Sequence, residues 1–326
     1  MKEEEIRSRS AFARYLELVQ QDISTHFTHA TAFHDVACPG CEAWEHASAF
    51  EKAGFRYVTC QQCGTLFASP RPTASQLKAF YLHAPSSQYW VNDFFRPVAE
   101  ARRVKIFRPR AVDVAQRLSA TVEGLVGDIG AGFGLFLEEL RALWPNAKTV
   151  AIEPSAEMAA ICRAKGLQVL ESTIEDLQGY DGQFGLLTTF ELLEHLYEPR
   201  ALLDRAWQLL RPGGYLVATT LNGEGFDIQI LWERSKSIFP PHHINFLNPG
   251  ALATLCERAG FQVEEITTPG RLDWDIIDGA LREGIPVNRF WSLLARQGTE
   301  ACKQELQSWI AQHGLSSHMR LIARKR

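Results

Sequence analysis

From about residue 122 onward, short apolar runs alternate with longer amphipathic stretches. This pattern predicts strands ending at Ile129 and spanning 149–152, 168–170, 184–189 and 215–220, with helices from about Leu135, over 155–165 and over 199–210 between them. Such alternation specifies right-handed βαβ units, and therefore a mostly parallel sheet with helices on both faces. Two more strands are expected at 260–263 and 318–323, and the 274–313 span between them reads as two helices inserted above the sheet. The first third of the chain follows other rules. Residues 6–27 carry Ile6, Phe12, Tyr15, Leu16, Leu18, Val19 and Phe27 at roughly helical spacing, and 73–118 also read as helical, with Thr73 or Ser75 as N-cap. Between them, 35–71 look like short β-hairpins around Phe55, Tyr57, Val58, Leu66 and Phe67, closed by Pro70-Arg71-Pro72, which blocks both helix and ladder. The expected organisation is an N-terminal helix (1–34), a small module (35–72), a helical linker or lid (73–120) and an α/β domain (121–326) with a helical insertion at about 272–314.

Cysteine placement changes the picture of the small module. Four of the seven cysteines form the frame Cys38-Pro39-Gly40-Cys41 and Cys60-Gln61-Gln62-Cys63, with eighteen residues between the pairs. Two CxxC knuckles at this spacing can converge as four thiolates on one tetrahedral Zn²⁺, so Cys38, Cys41, Cys60 and Cys63 are the expected ligands of a structural ion. A unit this small usually needs its metal to fold.

Charge and composition narrow the partners. With 34 Lys and Arg against 38 Asp and Glu the net charge is −4, which argues against a nucleic-acid partner. The one basic run, Arg102, Arg103, Lys105, Arg108 and Arg110, reads as a solvated helix face. No apolar stretch approaches the ~20 residues that span a bilayer and the start has no leader-like pattern, so no membrane partner and a cytoplasmic location are expected.

The candidate chemistry begins at the first strand-to-helix turn. Asp128 ends a strand, and Gly130, Gly132 and Gly134 open a helix whose N-terminal amides can approach a ligand without Cβ obstruction. A dinucleotide fingerprint would need glycine at 135 or 137, and both are leucine, which weakens NAD or FAD. The GxGxG pattern with a preceding acid suits S-adenosylmethionine instead. Glu153, nineteen residues past Gly134 at the next strand end, is placed to take two ribose hydroxyls, and Glu175 or Asp176 to meet the adenine amino group.

Gly127-Asp128-Ile129-Gly130-Ala131-Gly132, Glu153, the segment from Phe184 through Phe190-Glu191-Leu192-Leu193-Glu194-His195, and Leu210-Arg211-Pro212-Gly213-Gly214 resemble the successive signatures of class I S-adenosylmethionine-dependent methyltransferases. The resemblance covers about 121–222. It implies a Rossmann-like seven-stranded α/β sheet in the order 3-2-1-4-5-7-6, with the last strand antiparallel and supplied by residues near 318–324. Carried onto this chain, it implies a cofactor site of Asp128, Gly130, Gly132, Phe133, Glu153, Pro154, Glu175, Phe190 and Glu191. Gly185 departs from the aspartate usual in related chains. The zinc pairs and Phe239-Pro240-Pro241-His242-His243-Ile244-Asn245-Phe246 are similar to a subgroup that methylates sugars or small metabolites in glycan and secondary-metabolite pathways. Its carbon-methylating members tend to carry Glu-His where this chain has His242-His243, which favours a hydroxyl acceptor.

Methyl transfer to a hydroxyl requires alignment and removal of a proton, and histidine is the natural base. His195, His242 and His243 are the candidates, with Tyr89, Trp90, Asn222 and Asn245 as acceptor-binding residues. The leading expectation is a methyltransferase acting on a sugar, nucleotide-linked sugar, glycan or similar small molecule. An RNA base methyltransferase and a non-catalytic, cofactor-sensing adaptor are the alternatives.

Overall fold

The protein is described from a computed structural model that covers residues 5, 6, 8–27 and 33–326. Helix α1 (Arg9–His26) starts at Ser8, whose side chain accepts from the Ala11 amide. The expected helix over 1–34 is therefore shorter, and its positions 1–4, 7 and 28–32 lie outside the described residues.

Strands β1 (His46–Lys52), β2 (Phe55–Cys60) and β3 (Leu66–Ala68) form the small module. Its sheet has a fourth strand from far along the chain, β9 (Asn245–Phe246), in the order β1-β2-β3-β9.

Next comes α2 (Ala74–His83), closed at its start by a reciprocal Thr73–Gln76 capping box. Helix continues as expected but is broken: Pro85–Tyr89 leads into π-helical Trp90–Phe95, then Arg96–Val98, Ala99–Arg102 and a second π-helical turn, Arg103–Phe107, before α3 (Arg108–Leu118). The basic run is absorbed by acids of the same chain. Arg103 pairs with Glu138, Lys105 with Glu5, Arg108 with Glu139 and Arg110 with Glu191.

The main domain follows the expected alternation: β4 (Leu125–Ile129), α4 (Leu135–Leu143), β5 (Lys148–Ile152), α5 (Ala156–Ala164), β6 (Gln168–Leu170), β7 (Phe184–Phe190), α6 (Pro199–Leu209) and β8 (Leu210–Leu221). Helices α7 (Phe226–Leu231) and α8 (Pro249–Arg258), which the pattern did not disclose, lie on either side of β9. Then come β10 (Phe261–Thr267), α9 (Asp273–Arg282), α10 (Arg289–Gln297), α11 (Glu300–Gln312) and β11 (His318–Lys325). The insertion thus holds three helices where two were expected. Gly298 caps α10, and the Thr299 side chain restarts helix by accepting from the Cys302 amide.

Seven strands pair in the order β10-β11-β8-β7-β4-β5-β6, with β11 antiparallel to both neighbours and the other main-sheet pairs parallel. This is the topology the class I resemblance implies. Period-2 alternation divides each central strand between two cores. Val150, Leu187 and Leu216 join α6 and α8 on one face, while Ala151, Leu186 and Val217 join α3 and α4 on the other. At Gly185 a Cβ would stand 1.9 Å from the Glu123 carbonyl oxygen, so aspartate cannot occupy this position without moving the backbone. Among the described residues no helix is long and apolar enough to cross a membrane.

Candidate active site

The carboxyl ends of β4, β5, β7 and β8 converge on one edge of the sheet, where open α/β folds bind ligands. At the β4–α4 turn, Gly132 has φ of 55° and Gly134 of 69°. A Cβ on Gly134 would strike Leu167 at 2.5 Å, whereas one on Gly132 would have only the Met158 sulfur, at 4.0 Å. Gly134 therefore serves packing, and Gly132 keeps a cradle open. Glu153 is buried, accepting from the Gly132 amide at 2.8 Å and the Ser155 amide at 2.9 Å. Burial pushes its pKa up against those two bonds. Each carboxylate oxygen still has a second lone pair, so this cradle and rigid acid fit an adenosine ribose. Asp128 is buried, accepts from the Thr188 hydroxyl at 2.7 Å and is pushed up to about 7, chiefly by burial. The Phe133 ring lies 4.9 Å from Phe95, so the broken helical linker covers this end of the site. Phe190 packs on Phe136 under the Arg110 guanidinium. Pro154, Glu175 and Asp176 are exposed on the loops after β5 and β6.

The loop after β7 holds the other end. Glu191 takes a left-handed φ of 55° and accepts from Arg110 at 2.6 Å and the Thr219 hydroxyl at 2.7 Å, with His318 at 3.3 Å. Burial raises its pKa, but His318 and Arg110 outweigh it and hold the carboxyl at about 2. Three residues on, Glu194 is buried with the Thr220 hydroxyl as donor at 2.7 Å, and burial together with the Glu191 charge pushes it up to about 8. His195 lies beside it, its ring 4.8 Å from that of His243, and one ligand atom each of Glu194, His195 and His243 lies within 4.8 Å of the others. Burial drives the His195 pKa down to about 4, so its imidazole is neutral at physiological pH.

His243 is held by its Nδ1 against the Ser237 carbonyl at 2.7 Å and by its own carbonyl, which accepts from the Tyr57 hydroxyl at 2.7 Å. His242 points elsewhere. Its Nε2 meets the Tyr15 hydroxyl at 2.9 Å and its ring stacks on Phe239 at 5.1 Å, inside an aromatic cluster with Phe80 and Tyr81. Tyr89 and Trp90 belong to the adjoining cluster, where Trp90 stacks on Phe94 at 4.5 Å.

Two expected acceptor residues are explained differently. Asn222 is fully buried, donating to the Gly314 and Ser316 carbonyls at 3.2 and 2.9 Å and accepting from the Glu224 amide at 3.0 Å. These bonds tie the insertion to the end of β8. Asn245 donates to the Leu193 and Leu196 carbonyls at 3.1 and 2.7 Å, which braces the His195 loop, and its buried Oδ1 has no hydrogen-bond partner among the described residues. The sequence reading passed over Tyr57, Tyr81 and Glu194 as site residues. Only Glu194, inside the Glu-x-x-Glu-His segment, carried a local signal.

In the small module the Cys38 and Cys63 sulfurs stand 3.5 Å apart, as do those of Cys41 and Cys60, and all four lie within 4.8 Å of one another. Tetrahedral Zn–S bonds of about 2.3 Å place sulfurs about 3.8 Å apart, so the four thiols fit one ion. This knuckle docks on α8: Asn248 donates to the Cys63 carbonyl at 2.8 Å and Arg258 to that of Cys41 at 2.5 Å.

A family model described as a methyltransferase domain matches residues 105–266. Ubiquinone biosynthesis O-methyltransferase of Xanthomonas euvesicatoria pv. vesicatoria is 31% identical over 153 residues, which cover 43% of this chain and 63% of that protein. Its namesake from Xanthomonas oryzae pv. oryzae is 29% identical over the same shares. The chain therefore spans about 63% of the length of the curated relatives it matches. Among solved structures, an S-adenosylmethionine-dependent methyltransferase from Thermotoga maritima aligns with a TM-score of 0.46 and 23% identity, over 71% of this chain and 97% of that one. One from Archaeoglobus fulgidus aligns with a TM-score of 0.48 and 17% identity, over 71% and 100%. The family match makes residues 105–266 similar to a methyltransferase domain, and the seven-stranded topology is the class I sheet.

Proposed function

We propose that this protein is an S-adenosylmethionine-dependent O-methyltransferase acting on a polar small molecule, with a hydroxyl of a sugar, nucleotide-linked sugar or glycan as the acceptor class. The observation that carries this reading is the meeting, on one sheet edge, of the Gly132–Glu153 cradle with the Glu194, His195 and His243 cluster. Bound in the cradle, S-adenosylmethionine supplies an electrophilic methyl carbon on a sulfonium. Glu153 holds the ribose, while the Gly132 turn admits the backbone of the ligand. Asp128 contributes negative charge near a net-cationic ligand. The acceptor hydroxyl is activated at the histidine cluster, where the neutral His195 and the oriented His243 offer lone pairs. Trp90 and Phe239 supply flat apolar faces suited to a sugar ring. The relatives' O-methyl chemistry supports an oxygen acceptor. Four cysteines in tetrahedral reach support a structural zinc.

The test is incubation of the full chain with methyl-labelled S-adenosylmethionine and separate panels of sugar nucleotides, glycans, phenols and RNA. Label is expected in a base-stable ether of the sugar or glycan panel. Label in phenols alone would move the acceptor class, label in RNA would overturn the small-molecule reading, and binding without transfer to any panel would favour the adaptor.

A further inference from the structure

We infer that Glu194, His195 and His243 form a second metal site, distinct from the four thiols, which takes a divalent first-row transition cation and holds the acceptor oxygen against it. This inference rests on the methyltransferase reading for its chemistry, but not for the binding site itself. One carboxylate and two imidazoles, with ligand atoms all within 4.8 Å of one another, make up a 2-His-1-carboxylate set that leaves coordination positions for a substrate oxygen and water.

Three features beyond proximity point to a cation. First, the two neighbouring acids are treated differently. Glu191 is answered by Arg110 and His318, whereas Glu194, more deeply buried, has the Thr220 hydroxyl as donor and forms no ion pair among the described residues. A buried carboxylate facing two imidazoles is the arrangement a bound cation completes. Second, both rings are oriented from behind, as metal-binding histidines are: Nδ1 of His243 meets the Ser237 carbonyl at 2.7 Å, and Nδ1 of His195 lies 3.4 Å from the Tyr81 hydroxyl. Third, the ligand-bearing segments are strapped together, because the Ile244 amide donates to the Glu194 carbonyl at 2.9 Å and Asn245 to the Leu193 and Leu196 carbonyls. The loop carrying His243 is thus fixed against the turn carrying the other two ligands, although about fifty residues separate them.

Imidazole and carboxylate together suit Mn²⁺, Fe²⁺, Co²⁺ or Zn²⁺, and the thiol module answers to softer preferences. A cation here lowers the pKa of an acceptor hydroxyl by Lewis acidity. The acceptor O–H bond breaks with its proton passing to water, and the oxygen forms a bond to the methyl carbon. The C–S bond breaks and sulfur keeps the electron pair. No electrons are exchanged with the metal.

The test uses the full chain, stripped with a mild chelator until elemental analysis shows a single zinc, and then titrated with Mn²⁺ under electron paramagnetic resonance and with Co²⁺ under visible absorption. One further equivalent per chain is expected, with Co²⁺ bands of nitrogen and oxygen rather than sulfur ligation. Glu194→Gln and His243→Ala should each weaken that second equivalent by more than the roughly 10–100-fold typical of losing an outer-shell partner, with the first zinc retained. Calorimetry with S-adenosylhomocysteine runs in parallel. Normal S-adenosylhomocysteine binding with no second equivalent, or with a second equivalent that neither variant alters, overturns the metal site and leaves the methyltransferase reading intact. Absence of S-adenosylhomocysteine binding would instead sink the reading beneath it.

Discussion

The proposed cofactor end and the proposed acceptor end of the site share one sheet edge but are assembled over different distances along the chain. The bond that fixes the first, Gly132 amide to Glu153, joins residues 21 positions apart, whereas the bond holding the His243 carbonyl comes from Tyr57, 186 positions away. Strand, turn and strand of one βαβ unit suffice to place Glu153. The loop of His243 is held by contacts from the small module through Tyr57, the helical linker through Tyr81 and the main domain through Ser237. A frame made locally should survive damage elsewhere, and a frame made from remote pieces should not. Five measurements can break or sharpen that contrast.

The largest effect is expected from Cys60→Ser. Loss of the four-thiol site should cost several kcal/mol, a fall in melting temperature of roughly 10 °C or more, and abolish turnover through the acceptor end. S-adenosylhomocysteine binding by the remaining main domain should stay within about threefold below the new melting point, because the cradle is local. An unchanged zinc content and melting temperature would remove the metal assignment.

Next come His195→Ala and His243→Ala, each expected to lower turnover by about 10²–10⁴ while cofactor affinity holds. Near-parental turnover in both would leave catalysis to proximity. Glu153→Ala should do the reverse, weakening S-adenosylmethionine by about 2–4 kcal/mol while turnover at saturating cofactor changes little. A loss of turnover equal to the loss of binding would show that the two ends are coupled.

The pH dependence tests the cofactor end alone. Asp128 is an acid whose folded pKa, about 7, stands above its ordinary 3.8, so the free protein gains from its protonation at low pH and loses that stability as pH rises through about 7. A net-cationic ligand favours the ionised form. S-adenosylmethionine should therefore bind about tenfold more tightly at pH 7.5 than at 5.5 with proton release, and Asp128→Asn should flatten the profile. A pH-independent affinity would contradict this. The smallest effect belongs to Tyr57→Phe, about 0.5–1.5 kcal/mol of stability, accompanied by a lower turnover number and no change in cofactor affinity if Tyr57 positions the His243 loop.

The same contrast decides how much was legible in the sequence. The alternation after residue 122 gave the main strands, and the glycine turn and Glu153, which the structure joins by a hydrogen bond, were legible because period, turn and strand-end acid all sit within one βαβ unit. The contacts of Asn222 were illegible for the opposite reason: its partners at Gly314 and Ser316 are over ninety positions away. β9 has two residues, too few to show any period, yet it closes the small sheet. The third insertion helix was missed although Gly298 and Thr299 form an ordinary stop and start. His242 looked chemically equal to His243, and the aromatic rings gathered around His242 from α1, α2 and the 239–242 turn set their surroundings apart.

A sheet that borrows its last strand cannot be lifted out as a cassette. β9 pairs with β3 through Leu66–Phe246 and Phe67–Asn245, and the Ala68 amide reaches on to the Ile244 carbonyl at 2.9 Å. A chimaera that swaps residues 35–72 for the equivalent piece of another protein would leave that edge mismatched one residue from His243. Grafting 239–246 along with the module should restore the seam. The natural unit of transplantation here is a discontinuous one, and recombination that respects only linear boundaries would keep cutting it in two.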